Sequence, residues 1–161
     1  MEKKIFSLLI VLLTMLTALP SMAQDSPQTP GDKLFAQYRE QYSQTAQVYN
    51  LDKSGIKDLY SSSVEEAQKA EFCINHTQSA AVLVFSNSDE NLVSTAKRDL
   101  SMLAKQGYTK DPTEEASYYL VINNKVVEQI GLEQENGTAM LLITKCDFPK
   151  NEFEKLNKAS E

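Results

Sequence analysis

The most constraining feature of this sequence is a run of three β-prone segments near its C-terminus. The segments are Ser117 to Ile122, Lys125 to Leu132 and Thr138 to Cys146. Asn123-Asn124 and Asn136-Gly137 lie between them, and both pairs tolerate the positive φ of tight hairpin turns. The pattern therefore predicts a three-stranded antiparallel meander.

The preceding segments predict one further central strand and several helices. Ala80 to Phe85 is a nearly continuous apolar run, typical of a strand buried on both faces. The other predicted β segments are Phe72 to Ile74 and the short stretch Gln47 to Leu51. Helical spacing and capping residues predict helices from Asp32 to Ala46, Asp52 to Tyr60, Ser88 or Asp89 to Lys105, and Asn151 to Leu156. This order predicts an α+β fold, with a single mainly antiparallel sheet that ends in the meander and helices packed mainly on one face.

The N-terminus has the layout of a cleavable secretory signal. Met1 to Lys4 is basic, Ile5 to Ala18 is almost entirely apolar, and Ser21-Met22-Ala23 places small residues where a signal peptidase cleaves. We therefore predict a signal peptide over residues 1–23, a flexible leader over 24–31 (QDSPQTPG) and one α+β domain over 32–161. The expected location is the bacterial periplasm or the exterior of the cell.

Charge and hydropathy together exclude nucleic acids as partners and a membrane span in the mature chain. The 161 residues carry 22 acidic and 16 basic side chains, and the formal net charge is -6. The chain after residue 23 has 14 basic and 21 acidic side chains, which gives about -7. Nucleic acids are not expected as partners, because binding them needs clustered Lys and Arg and only two arginines, Arg39 and Arg98, are present. No membrane span is expected after signal cleavage, because the signal's apolar run is shorter than the roughly 20 residues of a spanning helix.

Cys73 and Cys146 are the only cysteines, and each is in or beside a predicted strand. An exported protein with an even cysteine count can pair them, so Cys73 and Cys146 are a disulfide candidate. Two separate buried thiols that act as small apolar residues explain the same positions. The sequence leaves both interpretations open.

No metal or cofactor is predicted. Cys73, His76, Cys146 and Asp147 contain zinc-type ligands, but their spacing does not require them to meet. Asn50 to Asp58 has oxygen-bearing side chains at spacings typical of a calcium loop, although the carboxylate that should close the loop is missing.

Catalytic motifs are absent from the sequence, and no catalytic residue is assigned. Several acidic pairs could in principle supply two carboxylates to a hydrolase. These pairs are Glu65-Glu66, Asp89-Glu90, Glu114-Glu115 and Glu133 with Glu135. Their positions at helix starts and hairpin turns are more typical of a solvated surface.

Three segments follow the predicted leader in order: AAVLVFS at 80–86, LAKQGY at 103–108 and the meander YYLVINNKVVEQIGLEQENGTAMLLITK at 118–145. This layout resembles that of a group of small exported proteins of unknown function from Gram-negative bacteria. It implies a compact α+β domain in the periplasm or outside the cell, and it transfers no catalytic residues. The two cysteines are not typical of that group.

These observations predict a secreted, non-enzymatic domain that binds another protein or an envelope component. One alternative is a hydrolase that uses paired carboxylates. Another is a small-ligand carrier with a pocket between the helices and the sheet. The sequence sets no oligomeric state.

Overall fold

A computed structural model describes residues 28–63 and 67–158 of the chain. The described residues form five α-helices, a short 3₁₀ turn and six strands. In chain order these are α1 (Pro30–Gln41), β1 (Ala46–Leu51), α2 (Lys53–Ser63), α3 (Ala67–His76), β2 (Thr77–Phe85), α4 (Glu90–Met102), the 3₁₀ turn (Leu103–Gln106), β3 (Tyr108–Lys110), β4 (Ser117–Ile122), β5 (Lys125–Glu135), β6 (Thr138–Pro149) and α5 (Lys150–Lys158).

All six strands belong to one antiparallel sheet in the order β1-β2-β6-β5-β4-β3. The predicted α+β class and the C-terminal meander of β4, β5 and β6 are confirmed. The turns of the meander contain Asn123, Asn124 and Asn136 at φ of 50°, 59° and 49°, followed in the second turn by Gly137 at 78°. Positive φ at both central residues matches the right-handed twist of the paired strands, as the asparagine pairs predict.

The helices divide between the two faces of the sheet, so the expectation that they pack mainly on one face is wrong. Along β6, Leu141 and Ile143 point to one side and join the apolar cluster formed with α1 and α4. We call this side the first face. Met140 and Cys146 point to the opposite side, the second face, and join the clusters formed with α2, α3 and α5. Because both faces of β6 are covered, its side chains are apolar on both sides.

The first helix begins before the predicted position. Pro30 occupies its first turn, and Thr29 caps it by accepting a hydrogen bond from the Asp32 backbone N–H, while the Asp32 side chain accepts one from the Thr29 N–H. Asp32 is thus the third helical residue of a capping box and not the cap itself. The helix ends at Gln41, because the chain turns into β1 at Ala46. Thr29 to Gly31, which we assigned to the leader, therefore belong to the fold.

Two other elements differ from the sequence prediction. Phe72 to Ile74 lies within α3 and not in a strand, since its apolar side chains extend a helical stripe that includes Ala70. The three-residue strand β3 was not predicted, because it is too short to show an alternating pattern. The helix α4 is capped by Asp89 as expected, and Gly107 closes the following 3₁₀ turn at φ 93°.

The predicted signal peptide and residues 24–27 of the predicted leader lie outside the described residues, as does Glu65-Glu66. Within residues 28–63 and 67–158, no helix has both the length and the apolar character that crossing a bilayer requires.

Candidate functional site

The second face of the sheet contains a cavity of about 270 Å³ between the sheet and α2, α3 and α5. It separates the apolar cluster around α2 from the cluster around α3 and α5. Its walls include Tyr60 of α2, and Phe153 and Leu156 of α5. Most of this lining is apolar, which is typical of a small-molecule site.

Small side chains in the sheet create the space. Ser117 of β4 lies opposite Gly131 of β5, which lies opposite Leu142 of β6. A Cβ added at Gly131 would lie only 3.2 Å from the Ser117 Cβ and Oγ. Gly131 has no side chain and Ser117 has a short one. The surface of the sheet is therefore left uncovered at these two residues, and this space forms the cavity.

One end of the cavity is acidic. Glu133 is two residues beyond Gly131 on the same face of β5, and it forms a side-chain hydrogen bond with Glu114 of the β3–β4 loop. Burial, followed by the charge of Glu114 and this hydrogen bond, raises the pKa of Glu133 to about 8. Glu135 adds to the effect from the next position on this face, and its Oε2 is buried without a hydrogen-bond partner. At neutral pH the Glu114–Glu133 pair therefore holds one shared proton.

The wall of the cavity also contains an unpartnered hydroxyl, away from the acidic end. Thr144 of β6 is only 3% exposed, and its Oγ1 has no hydrogen-bond partner. It pairs with Gln129, four residues before Glu133 on β5, which corresponds to about 13 Å along the strand. A buried hydroxyl that lacks a hydrogen bond is destabilising, so the cavity favours a ligand that supplies one at Thr144.

The rim of the cavity is fixed by a buried carboxylate. Asp111 is 4% exposed, and its Oδ1 accepts hydrogen bonds from the Thr113 backbone N–H at 2.9 Å and the Thr113 hydroxyl at 2.7 Å. Its Oδ2 accepts a hydrogen bond from the Asn157 amide of α5 at 3.2 Å. These bonds join the β3–β4 loop to α5, so the loop that carries Glu114 is held beside the cavity.

A second depression, of about 430 Å³, lies between the end of α1 and the start of α4. It is lined mainly by exposed polar residues of the segment 86–91, together with Tyr42 and Phe85. It is larger than the cavity on the second face and more open to solvent. None of its lining side chains has a buried polar atom without a partner.

The first face contains a buried ionic network that fastens α1 to the sheet. Glu128 is completely buried and is in contact with the Lys145 ammonium. It also accepts hydrogen bonds from the Thr29 hydroxyl at 2.5 Å and the Tyr108 hydroxyl at 2.6 Å. Lys145 donates a further bond to Asp32 at 2.8 Å. Since these groups satisfy one another and none of them lines the cavity on the second face, we assign the network to stability.

The network also sets the charge of Asp32. Burial alone raises the pKa of this carboxyl, but the hydrogen bond and charge of Lys145, with the hydrogen bonds at Thr29, outweigh burial and lower it. Asp32 is therefore a carboxylate at neutral pH, and Lys145 lies between two carboxylates.

The two cysteines that were candidates for a disulfide are close in the fold but unpaired. Cys73 of α3 and Cys146 of β6 belong to the same apolar cluster, and both are free thiols. The Cys146 thiol donates a hydrogen bond to the Val126 carbonyl at 3.3 Å, and Cys73 lines the cavity. The structure therefore favours the interpretation of two separate thiols, of which Cys146 is buried and Cys73 half-buried.

The residues considered for zinc are partly brought together. His76 Nδ1 lies 3.0 Å from Asp147 Oδ1, at the edge of the cluster that contains both cysteines. Across the part of the chain that the structure describes, however, no three His, Cys, Asp or Glu side chains are arranged to hold a metal ion. Asp52, considered for calcium, instead accepts a hydrogen bond from the Gly55 N–H in the first turn of α2.

The acidic pairs are regrouped by the fold. Glu114 pairs with Glu133 and not with Glu115, which forms an ion pair with Lys97 on the surface. Strand alternation indicates that Gly131, Glu133 and Glu135 share one face. The pairing with Glu114 is between a loop and a strand, and no local pattern in the sequence indicates it.

No protein-family model matches this chain, and neither a curated protein sequence nor a solved structure matches it.

Proposed function

We propose that this protein is an exported, non-enzymatic carrier that binds a small, mainly apolar ligand in the cavity on the second face. The observation that carries the proposal is a cavity with mainly apolar walls that contains the unpartnered, buried hydroxyl of Thr144. Ligand sites combine a concave apolar lining with a few polar groups that orient the ligand. The predicted signal peptide supports a carrier that acts in the periplasm or outside the cell.

The size of the cavity limits the ligand. At roughly 30 Å³ of liquid volume per water molecule, 270 Å³ corresponds to roughly nine waters. A ligand of about ten non-hydrogen atoms is therefore the expected size, since the volume is just below the usual range of roughly 300 to 1,000 Å³ for ligand pockets.

A carboxylate hydrolase is less well supported by the same residues. Glycoside hydrolysis needs two carboxyl groups about 5 to 9.5 Å apart, with the scissile bond between them. Glu114 and Glu133 are in hydrogen-bond contact, which leaves no such space between them. The interpretation as a protein-binding domain has no specific contact surface in its favour, because the large exposed apolar residues of the described segments are Met102 and Ile122, on different elements.

The test uses small neutral probes of suitable size: benzyl alcohol, 2-phenylethanol, cyclohexanol and 1-hexanol. Backbone amide NMR shifts of the ¹⁵N-labelled protein should change around Gly131, Leu142 and Thr144 for at least one of them. The cavity-filling variant Leu142→Phe should weaken that binding at least tenfold. Ile122→Phe, which enlarges an exposed side chain away from the cavity, should bind as the wild type does.

The folded state of each variant is checked by its thermal unfolding midpoint. If none of the four probes shifts the cavity amides of the wild type, the carrier proposal is overturned. It is also overturned if Leu142→Phe folds normally and binds the probe with unchanged affinity.

A further inference from the structure

The ligand-binding cavity has one strongly polar end, and that end is entirely acidic. Glu114 and Glu133 are in contact there, and Glu135 follows on the same face of β5. None of the side chains that line the cavity is a lysine, an arginine or a histidine. The end thus has an excess of carboxylate groups with no cation among the lining residues.

We infer that the ligand is a small organic ammonium ion, whose cationic group binds Glu114 and Glu133 while its apolar body lies over Gly131 and Leu142 toward Thr144. This inference rests on the proposed function as a small-ligand carrier. It adds the chemical class of the ligand and its direction in the cavity.

The first argument is the shared proton. Two carboxyl groups in hydrogen-bond contact repel each other when both are ionised, so one of them retains a proton in the empty cavity. A primary ammonium carries a full charge and three N–H donors. When the ammonium binds, the proton shared by Glu114 and Glu133 is released to the solvent. The ammonium then donates charge-assisted hydrogen bonds to both carboxylates, in place of the single hydrogen bond between the two carboxyl groups.

The second argument is the two unsatisfied oxygens. The Oγ1 of Thr144, a lining residue of the cavity, is buried without a partner, and so is the Oε2 of Glu135, which does not line the cavity but follows the lining residue Glu133 on the same face of β5. Each is a polar atom that a ligand or a water molecule would normally satisfy. Because the second is a carboxylate oxygen, it can only accept a hydrogen bond when ionised, and it therefore favours a donor group at the acidic end.

The third argument distinguishes an organic cation from a metal ion. In the described segments, Glu114, Glu133 and Glu135 are not arranged as a three-ligand group that could hold a metal. Away from the acidic end, the walls of the cavity include aromatic and aliphatic residues, namely Tyr60, Phe153 and Leu156. Such walls stabilise the apolar part of an organic ligand, and they provide no ligand atoms for a hydrated metal ion.

The anion alternative fails on charge. A carboxylate or phosphate ligand would meet Glu114 and Glu133 with no basic lining residue to balance it. The excess of acidic residues in the whole chain, with a formal net charge of -6, adds long-range attraction for cations.

The experiment compares three probes of matched size and shape: 2-phenylethylamine, 2-phenylethanol and 3-phenylpropionate. At neutral pH the amine should bind at least tenfold more tightly than the alcohol, and the carboxylate should bind most weakly. Calorimetry in two buffers of different ionisation enthalpy should show release of a fraction of a proton up to one proton per amine bound. Binding of the alcohol should release no proton.

Matched variants locate the cationic group. Glu133→Gln keeps the shape of the side chain and should reduce the amine-to-alcohol preference at least fivefold and abolish the proton release. Glu115→Gln removes one charge from the neighbouring surface position and should leave both unchanged, because Glu115 pairs with Lys97 outside the cavity. Calcium chloride at moderate concentration should not displace the amine.

The outcomes separate this inference from the carrier proposal. If the alcohol binds in the cavity as tightly as the amine, or the carboxylate binds best, the ammonium inference is overturned and the carrier proposal stands. If calcium competes for the site, the assignment to an organic cation is overturned. If neither these probes nor the neutral probes bind, both proposals are overturned.

Discussion

Gly31 lies directly against the buried carboxylate of Glu128. A Cβ added at Gly31 would overlap Glu128 Oε1 and lie 3.0 Å from the Tyr108 hydroxyl. That hydroxyl accepts a hydrogen bond from the Gly31 N–H at 2.9 Å and donates one to Glu128 at 2.6 Å. The start of α1 therefore approaches the sheet as closely as it does only because residue 31 has no side chain.

Gly31→Ala should destabilise the protein by about 1 to 3 kcal/mol, because the methyl group forces α1 away from Glu128. The helix propensity of alanine offsets this by only about 1 kcal/mol. Urea unfolding measures the difference. Gly55→Ala, also in a helix, is the control: its Cβ would meet the Leu51 side chain at 3.3 Å, a close contact that a small shift relieves, so the loss of stability should be smaller than for Gly31→Ala. Equal stability of Gly31→Ala and the wild type would contradict the close approach.

Lys145 neutralises a carboxylate that water does not reach. Lys145→Met leaves Glu128 buried and without its cation, which should cost about 3 to 5 kcal/mol of unfolding free energy. The double variant Glu128→Leu with Lys145→Met should recover part of that loss, because it removes both charges together. A double-mutant cycle in urea measures the coupling between the two residues.

The control for this cycle is the surface ion pair Lys97–Glu115, whose glutamate is 80% exposed. Lys97→Met should cause no measurable loss of stability, since solvent screens exposed pairs. A coupling free energy near zero between Glu128 and Lys145 would show that the network does not hold α1 in place.

The sequence contains the signals for most of this architecture, including parts that we did not predict. Thr29, Pro30 and Asp32 form a complete start signal for a helix, with the proline in the first turn. Glu128, Ile130 and Leu132 are alternate residues of β5 and therefore share one face of the strand. The alternation alone indicates a carboxylate on the first face. Both features are local, and local patterns can be read from one chain.

The candidate site depends on contacts that no local pattern encodes. Glu114 meets Glu133 because Asp111 fixes the β3–β4 loop against α5, and these segments are distant in the sequence. The cavity itself results from Ser117 and Gly131 being opposite each other in adjacent strands. Strand register determines that pairing, and the register follows from the whole sheet.

The raised pKa of Glu133 predicts how stability varies with pH. Burial, then Glu114, and also Glu135 raise it from the ordinary 4.5 to about 8. Between these pH values the folded protein retains a proton that the unfolded chain has released. This contribution to stability is therefore complete below about pH 4.5 and is lost as the pH rises through 8, with a slope of at most about 1.4 kcal/mol per pH unit.

Urea unfolding of the wild type and Glu133→Gln at several pH values from about 5 to 9 tests this. The difference in unfolding free energy between the variant and the wild type should grow in favour of the variant as the pH rises. Glu115→Gln should not show this trend. Parallel pH profiles for the wild type and Glu133→Gln would contradict a shared proton at Glu114 and Glu133.

The two thiols should be free and slow to react. Burial raises the pKa of Cys73 to about 11 and, as the first of several causes, that of Cys146 to about 12. The reactive thiolate is therefore scarce near neutral pH, and Cys146 is additionally buried.

Titration with Ellman's reagent should find two thiols in denatured protein without reductant, and the native protein should react at least a hundredfold more slowly. Cys73→Ser and Cys146→Ser should each leave one thiol, with the slower native reaction belonging to Cys146. Titration of no thiols in denatured, unreduced protein would instead establish a disulfide between α3 and β6.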